Sequence, residues 1–563
     1  MTGTHTEVDA FLGFSLPRET IRHKARLAAL SLGLTKPARP VPQVSYYSSG
    51  LLLIIGPERS AMAVANEIVE TITPLILATD SRPISNLNPT RCTTYKLAGR
   101  DVAVFHASPV AISGYLGAFT VHVRHNGGIV DLARRIGPGR SEIDLILDLG
   151  RNPFIHRERL PNGYFAPEGD SERLERALKE IPGLVGRFDK PIYVHYNADI
   201  CAHGEKGITG CTRCLDVCPA GALQSLAERI ELDPHLCHGI GTCTAVCPTG
   251  AMRYSVPELG HSLDSLRRVI AAFRDQTAVP PSILLYERRL GASRLAGQVD
   301  ALPEDVIPWR IEEVGSIGLE LWLSMIAYGA HTVFILTTDQ IPPGTAAAVR
   351  AEVNLASVLL KALEIGENRI QAISPAQLAR LSIPPCDESA RKVIPATYGG
   401  LNEKRTVLRF ALEHMVEGLE SGAEQISLPV GSPLGGIEVD AEACTLCLGC
   451  VAVCPANALE GDSQKFRLTL RESDCVQCGI CEQACPEKAI TLVPQLLLNR
   501  ADRMNRQVLH EGTPFCCIDC GIPFATVTMI DKMKEKLSGH GMFQGDALKV
   551  LHRCDDCRIK AVP

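Results

Sequence analysis

The chain has 563 residues, of which 45% are hydrophobic and 21% are charged, and its formal net charge is −6. This length predicts about three to five domains, each able to bury its own core. The charge provides no basic footprint for nucleic acid or for anionic lipid, so neither is expected as a partner. Ordinary apolar content, with 47 glycines and 37 prolines, excludes a disordered or collagen-like chain.

The 22 cysteines are the most informative part of the composition. The chain is too long for a small secreted domain held by disulfides, and its first twenty residues show no export signal. Residues 317–336 form the longest apolar stretch, but they contain Glu320, Gly329 and His331. We therefore expect a core helix running into a strand there, and no membrane span. Cysteines kept reduced in this number predict a soluble, cytoplasmic, metal-binding protein.

The first 195 residues divide into a short N-terminal part and a first α/β domain. Residues 1–49 contain one amphipathic helix, at 19–32, and a Pro-rich connector. Residues 50–195 alternate helical segments with apolar runs at 51–55, 74–78, 102–106, 119–123 and 144–149. This alternation predicts a layered domain with a largely parallel sheet. The turn at 56–61 has one of the three glycines of a dinucleotide-binding fingerprint, so we expect a plain strand-to-helix connection.

Two cysteine-rich blocks flank a second α/β domain. The blocks occupy residues 196–256 and 436–494, and the domain between them occupies 257–398. Its predicted strands lie at 282–288 and 332–338, and its predicted helices lie at 317–328 and 345–363. A helix and linker follow at 399–435, and a C-terminal segment at 495–563 carries two further cysteine pairs.

An internal repeat identifies the cysteine-rich blocks. CPAGAL (218–223), CPTGAM (247–252), CPANAL (454–459) and CPEKAI (485–490) are four copies of one hexapeptide pattern, arranged as two pairs. A repeat of this kind decides the architecture. Together with the alternating segments it predicts an α/β and α+β multidomain protein with two α/β layered domains and two dicluster-ferredoxin modules.

The second block, module 2 (436–494), contains two complete ferredoxin runs, each of three cysteines at x2 spacing followed by x3-Cys-Pro. Three close thiolates wrap one cubane, and the fourth, before proline, ligates the other cubane. Cluster 3 would then take Cys444, Cys447, Cys450 and Cys485, and cluster 4 would take Cys475, Cys478, Cys481 and Cys454. Leu459 and Ile490 would shield the clusters from water. The alternative is zinc, which needs only two paired knuckles and no fourth cysteine before proline.

The first block, module 1 (196–256), is an altered copy of the same device. Ile208 replaces the first cysteine of the first run, and Cys201 lies seven residues upstream of it, so we infer an enlarged loop. Cluster 1 would take Cys201, Cys211, Cys214 and Cys247. Ile240 replaces a cysteine of the second run, which leaves cluster 2 with Cys218, Cys237 and Cys243.

Three thiolates suit either a 3Fe–4S cluster or a 4Fe–4S cluster with an outside ligand on its fourth iron. His235 or His238 could be that ligand, and the alternative places both histidines in a surface loop. A three-cysteine cluster would usually have a higher potential than its cubane neighbours, because its charge and exposure differ.

The C-terminal segment contains Cys517-x2-Cys520 and Cys554-x2-Cys557. Two such knuckles bring four sulfurs to tetrahedral spacing, which predicts a small zinc-ribbon-like segment, with a rubredoxin-like single iron as the alternative. Cys516 could replace Cys517. Cys92 and Cys386 are isolated, and a lone cysteine is usually a small buried hydrophobic residue.

Several segments carry a family resemblance. Residues 196–252 and 436–493 resemble two bacterial dicluster ferredoxin modules. With GYFAPEGD (163–170), KPIYVHYNADICAH (190–203) and CGIPFATVTMIDKM (520–533), the chain resembles large bacterial 4Fe–4S ferredoxin-type proteins. This resemblance implies an association with formate dehydrogenase systems. Residues 305–336 resemble the delta subunit of methyl-viologen-reducing hydrogenase without that family's cysteines, which implies a docking-sized fold and hydrogenase-like redox partners.

These observations favour an electron carrier without a substrate site of its own. The sequence contains no P-loop, no HExxH motif and no nucleophile–base set. We expect four clusters to relay single electrons between a dehydrogenase and a protein acceptor. One alternative is a maturation or redox-sensing scaffold for a metalloenzyme. The other is a subunit of a flavin-dependent oxidoreductase, with flavin in the first α/β domain.

Overall fold

The computed structural model describes residues 2–80, 92–125, 128–136, 142–383, 391–419, 422–540 and 545–560. Helices and strands are mixed throughout, as the sequence predicts. In this part of the chain no helix is both long enough and apolar enough to cross a membrane.

The first α/β domain is built on a six-stranded sheet. Its order is Tyr164–Phe165, Leu145–Asp148, Leu51–Gly56, Thr73–Ala78, Arg100–His106 and Cys92–Leu97. All neighbours are parallel except the last pair. Leu51–Gly56 is buried along its whole length because it lies inside the sheet and both of its faces are covered. Helix Glu58–Ile68 follows directly, and the Glu58 N–H donates to Asp80 Oδ1 over 3.0 Å.

The rest of this domain is antiparallel or helical. The strand predicted at 119–123 is observed as Thr120–His125, but it pairs with Ser108–Ser113 and Gly128–Asp131 in a separate antiparallel sheet. Gln43–Ser48 pairs with Gly186–Pro191. The helices are Ala133–Ile136, Ser171–Glu180 and the 3₁₀ turn Ile181–Leu184.

The second α/β domain has a four-stranded, fully parallel sheet. Its order is Val306–Ile311, Ser282–Glu287, Val333–Leu336 and Ile370–Ile373. The helices are Leu259–Thr277, Leu290–Ala296, Leu319–Ala327, Pro343–Ala362 and Pro375–Leu378. The apolar stretch forms the buried helix Leu319–Ala327 and then the buried strand Val333–Leu336, so the predicted core helix running into a strand is confirmed.

The N-terminal helices, Thr2–Leu12 and Ile21–Gly33, pack on this second domain. Leu12 and Leu30 belong to the same core as Phe273, and the Tyr286 hydroxyl donates to the Leu12 carbonyl over 2.8 Å. Gly33 permits helix Ile21–Gly33 to approach helix Leu259–Thr277 closely, since a Cβ at residue 33 would lie 2.3 Å from Val269 Cγ2. The connector at 36–42 then leads the chain into the first α/β domain.

The two modules share one strand pattern. In module 1, Val194–Tyr196 pairs with Met252–Tyr254 and Leu223–Leu226 pairs with Arg229–Leu232. In module 2, Gly436–Val439 pairs with Ile490–Val493 and Leu459–Asp462 pairs with Arg467–Leu470. The short helices are Ala198–Ile200, Arg213–Asp216, Thr242–Val246, Gly449–Ala452, Glu472–Asp474 and Ile480–Ala484. Module 1 alone adds the hairpin Gly204–Glu205 and Ile208–Thr209, which is the enlarged loop inferred between Cys201 and Cys211.

The remaining elements connect and follow module 2. Helix Lys404–Val416, called here the bridging helix, precedes it, and Gln425–Ser427 pairs with Gln495–Leu497. Gln507–Glu511 extends the module's hairpin. The C-terminal elements are Arg500–Met504, Pro514–Cys516, Pro523–Thr526, Val527–Leu537, Gly545–His552 and Asp555–Lys560.

Candidate metal centres

Tight loops present the thiols of module 2. Leu446 and Leu448 have φ values of 55° and 59° in the first run, and Gln477 and Gly479 have values of 53° and 82° in the second. Left-handed residues at alternate positions curl the backbone around a centre, and a non-glycine residue holds this conformation only where its surroundings enforce it. The same curvature in module 1 is supplied by Gly239 and Gly241.

The structure groups the thiols of module 2 across its two runs. Burial, followed by the charges of Cys444, Cys447 and Cys485, raises the pKa of Cys450 to about 12. Burial, followed by Cys475, Cys478 and Cys454, likewise raises the pKa of Cys481. In each group the cysteine before proline comes from the opposite run, as crossed ligation requires.

Module 1 shows the same crossing. Burial raises the pKa of Cys214, and so do the negative charges of the neighbouring thiolates Cys247, Cys211 and Cys201. Cys201 therefore lies with the group predicted for cluster 1. Burial and then Cys237 and Cys218 raise the pKa of Cys243, which unites the three thiols predicted for cluster 2. Ile240 is buried and 7% exposed, at the position where a complete run has its second cysteine.

Backbone N–H groups and apolar side chains complete these surroundings. The N–H groups of Ala222 and Ala489 each donate to the sulfur four residues earlier, Cys218 Sγ and Cys485 Sγ, over 3.3 Å. Such bonds stabilise negative charge on sulfur and raise a cluster's reduction potential. The predicted shields Leu459 and Ile490 are both buried.

Only one group in the described ranges is compact enough for a single ion. The sulfurs of Cys517, Cys520, Cys554 and Cys557 all lie within 4.8 Å of one another. Among the described residues, the thiols of the two modules form no group as compact as this one.

The C-terminal group has one hairpin knuckle and one helical one. Cys517 and Cys520 lie in the turn between Pro514–Cys516 and Pro523–Thr526, whereas Cys554 and Cys557 lie at the start of helix Asp555–Lys560. Desolvation opposes ionisation of Cys517, but backbone N–H groups, including that of Cys554, outweigh it and lower its pKa to about 6. A thiolate at neutral pH is the form that binds metal. Cys516 is exposed and outside the group, Cys92 begins a strand, and Cys386 lies outside the described residues.

The two candidate histidines differ in their surroundings. The His235 ring stacks on Tyr115 with centroids 4.2 Å apart, and its Nδ1 lies 3.5 Å from Asp233 Oδ1. His238 is half-buried, and its Nε2 is enclosed with no hydrogen-bond partner among the described residues. Burial, then Lys190 and Arg159, lower the pKa of His238 to about 4, so it is neutral and able to act as a ligand. Whether either histidine is a ligand of cluster 2 stays a prediction.

Three cations beside the thiol groups are not apparent from the cysteine pattern. Lys190 Nζ donates to the carbonyls of His235 and Cys237 over 2.7 and 2.8 Å. Lys404 Nζ donates to the carbonyl of Thr244 over 2.9 Å, and Arg405 Nη2 donates to that of Cys475 over 3.0 Å. Lys404 and Arg405 occupy the first turn of the bridging helix, where the helix dipole disfavours cations. That unusual placement is the sequence signal that could have identified them.

The two modules touch one another. Cys211 of module 1 is among the charges that raise the pKa of Cys478 in module 2 to about 11, after burial and the nearer thiols. Gly210 faces Ile480 so closely that a Cβ at residue 210 would lie 2.3 Å from the isoleucine Cγ1. Arg213 Nη2 also donates to the carbonyl of Ser432 over 3.2 Å. The thiol groups predicted for clusters 1 and 4 therefore lie in adjoining parts of the two modules.

Comparison with known proteins supports this view of the modules. A family model described as a 4Fe-4S dicluster domain matches residues 209–251 and 443–489. One component of the ion-translocating oxidoreductase complex of Methanosarcina acetivorans is 39% identical over 54 residues, which are 10% of this chain and 20% of that protein. The pyruvate-flavodoxin oxidoreductase of Trichormus variabilis is 32% identical over 99 residues, 12% of this chain and 8% of that protein. The chain thus spans a fifth or less of these two relatives.

A smaller relative is matched over most of its length. An uncharacterized ferredoxin of Methanocaldococcus jannaschii is 37% identical over 49 residues, which are 9% of this chain and 77% of that protein. The matched family model and these oxidoreductase-related names support 4Fe–4S clusters and an electron-transfer role. The chain belongs to the ferredoxin family, with two 4Fe–4S dicluster domains.

Proposed function

We propose that the chain is a four-cluster electron relay between a dehydrogenase and a protein acceptor. The ligand sets are those predicted above, cluster 2 is a three-cysteine cluster, and the Cys517 group holds zinc or a single iron. The family resemblance suggests a donor of the formate dehydrogenase type. The contact of Gly210, which precedes Cys211, with Ile480, which lies between Cys478 and Cys481, carries the proposal, because it joins two dicluster modules into one path.

The contacts suggest the order of the path. Crossed ligation pairs cluster 2 with cluster 1 and cluster 4 with cluster 3, and the contact at Gly210 and Ile480 pairs cluster 1 with cluster 4. Electrons would therefore pass through clusters 2, 1, 4 and 3, or in the reverse order. Cys447 of cluster 3 is exposed, so we assign one docking point for a redox partner to the surface around it.

The experiment compares two variants of the full chain, purified without oxygen. Cys481→Ser removes a ligand of cluster 4, and Cys516→Ser removes an exposed cysteine outside every group. We expect Cys481→Ser to slow electron exchange between the modules at least tenfold, measured by rapid-mixing absorbance and freeze-quench electron paramagnetic resonance. We expect Cys516→Ser to behave as wild type. Equal rates in Cys481→Ser and wild type would contradict a path through cluster 4.

A further inference from the structure

A large cavity lies where the connector, module 1 and the second α/β domain meet. Its volume is about 700 Å³, and its walls include connector residues 36–42, the strand Met252–Tyr254 and residues 309–312. Cavities of roughly 300–1,000 Å³ are typical of sites for cofactors and other small ligands. The proposed electron path does not use this cavity.

One wall of the cavity is continuous with the clusters of module 1. Met252 lines the cavity, and its N–H donates to Cys247 Sγ, a proposed ligand of cluster 1, over 3.5 Å. Thr244 also lines the cavity and directly follows Cys243, a proposed ligand of cluster 2. A molecule bound against this wall would be separated from both clusters by about one layer of residues. Single-electron exchange needs proximity of this kind.

The lining combines aromatic rings with positive charge. Trp309 and Phe11 lie with their ring centroids 4.9 Å apart, and the Arg310 guanidinium is 4.8 Å from the Phe11 ring centroid. Lys36 and Arg39 are exposed at the rim formed by the connector. Aromatic walls suit a planar ring, and a basic rim suits an anionic tail.

The carboxylates of the lining already have partners. Glu320 lies 3.5 Å from Lys404 Nζ, and Glu312 lies 3.3 Å from an Arg288 nitrogen. Glu258 accepts from the Asn402 side-chain amide over 3.0 Å. The two ion pairs offset the charges of Glu320 and Glu312, whereas the Asn402 amide is neutral and leaves the charge of Glu258 in place. Lys36 and Arg39 exceed that one negative charge, so the connector side of the cavity stays positive.

We propose that this cavity binds a planar aromatic two-electron carrier with an anionic tail, of the flavin mononucleotide class. The inference rests on the proposed electron relay, and it places the molecule here rather than in the first α/β domain. Clusters 1 and 2 would each give one electron and become oxidised. The ring would take both electrons, with two protons from water at the rim, and become the dihydro form. The donor dehydrogenase would then reduce the clusters again.

The test uses flavin mononucleotide and riboflavin as probes of the full, cluster-loaded chain. Binding is measured by equilibrium dialysis, and electron transfer by bleaching of the flavin absorbance after mixing with pre-reduced protein. We expect one flavin mononucleotide per chain and weaker binding of riboflavin, which lacks the phosphate. The double variant Lys36→Glu, Arg39→Glu should weaken flavin mononucleotide binding at least about tenfold and leave riboflavin binding unchanged, because the rim charge acts on the phosphate.

The matched control is Arg294→Glu, which reverses an exposed charge on helix Leu290–Ala296, outside the cavity lining. We expect it to bind both probes as wild type does. Absence of saturable binding, or equal weakening in both variants, would overturn the proposal. Failure of binding in a protein whose clusters are reversibly reduced would refute this site alone. Absence of the clusters would instead refute the relay on which it rests.

Discussion

Arg405 offers the sharpest test of how the protein tunes a cluster. Its guanidinium donates to the carbonyls of Pro433, Ser473 and Cys475 over 3.0, 2.8 and 3.0 Å, so the cation is fixed beside Cys475, a proposed ligand of cluster 4. A positive charge at this place stabilises the reduced cluster, which carries one more negative charge. Arg405→Met should therefore lower the reduction potential of cluster 4.

The size of the shift follows from Coulomb's law. At about 8 Å and an effective dielectric constant of about 20, one unit charge contributes about 2 kcal/mol. About 1.4 kcal/mol corresponds to about 59 mV for one electron, so the expected decrease is about 90 mV. The matched variant Arg405→Lys keeps the charge and should change the potential by less than about a quarter of that amount.

The assay is a redox titration of anaerobic protein, followed by electron paramagnetic resonance, with cluster 4 identified by its loss in Cys481→Ser. An unchanged potential in Arg405→Met would refute the electrostatic role of Arg405. Equal shifts in Arg405→Met and Arg405→Lys would also refute it, because the lost hydrogen bonds and not the charge would then be the cause.

Three further predictions address other contacts. Burial lowers the pKa of Lys190 to about 8. The reduction potential of cluster 2 should therefore fall as the pH rises through about 8, because the positive charge of Lys190 is lost. Voltammetry should show this pH dependence in the wild type and not in Lys190→Met. Gly210→Val should push Ile480 away and slow transfer between clusters 1 and 4 in rapid mixing while iron content stays constant; unchanged transfer would contradict that contact. Cys520→Ser should remove the C-terminal metal, measured by elemental analysis, whereas Cys516→Ser should retain it.

The cysteine groups were predictable because their geometry is local. A run such as Cys475, Cys478 and Cys481 places three thiols around one short loop whatever the rest of the chain does, and the hexapeptide repeat indicates which cysteine crosses over. The strands Leu51–Gly56 and Ser282–Glu287 were equally clear, since buried parallel strands are continuous apolar runs. The assignment of the cysteines as ligands of particular clusters stays a prediction that the variants above test.

The long-range contacts could not be predicted from the sequence. The amphipathic pattern of Ile21–Gly33 predicts a helix that packs on something, but nothing in it indicates the helix Leu259–Thr277, more than 220 residues away. Gly210 and Ile480 likewise carry no signal of their contact, because glycine and isoleucine serve many purposes. The path between modules and the cavity beside Met252 are products of packing between distant segments, so they required the structure.

The most direct test of the central claim is a count of metal and sulfide in the full chain, purified without oxygen and matched to its electron paramagnetic resonance before and after reduction. Three cubanes and one 3Fe–4S cluster predict about 15 irons and 16 sulfides per chain, with one further metal ion in the Cys517 group. A count of about 16 irons in the Cys520→Ser variant, which lacks the C-terminal metal ion, would place a fourth cubane in module 1, where a His238→Ala variant would then decide its outside ligand. A folded, colourless protein that holds zinc and no sulfide in modules 1 and 2 would contradict the account.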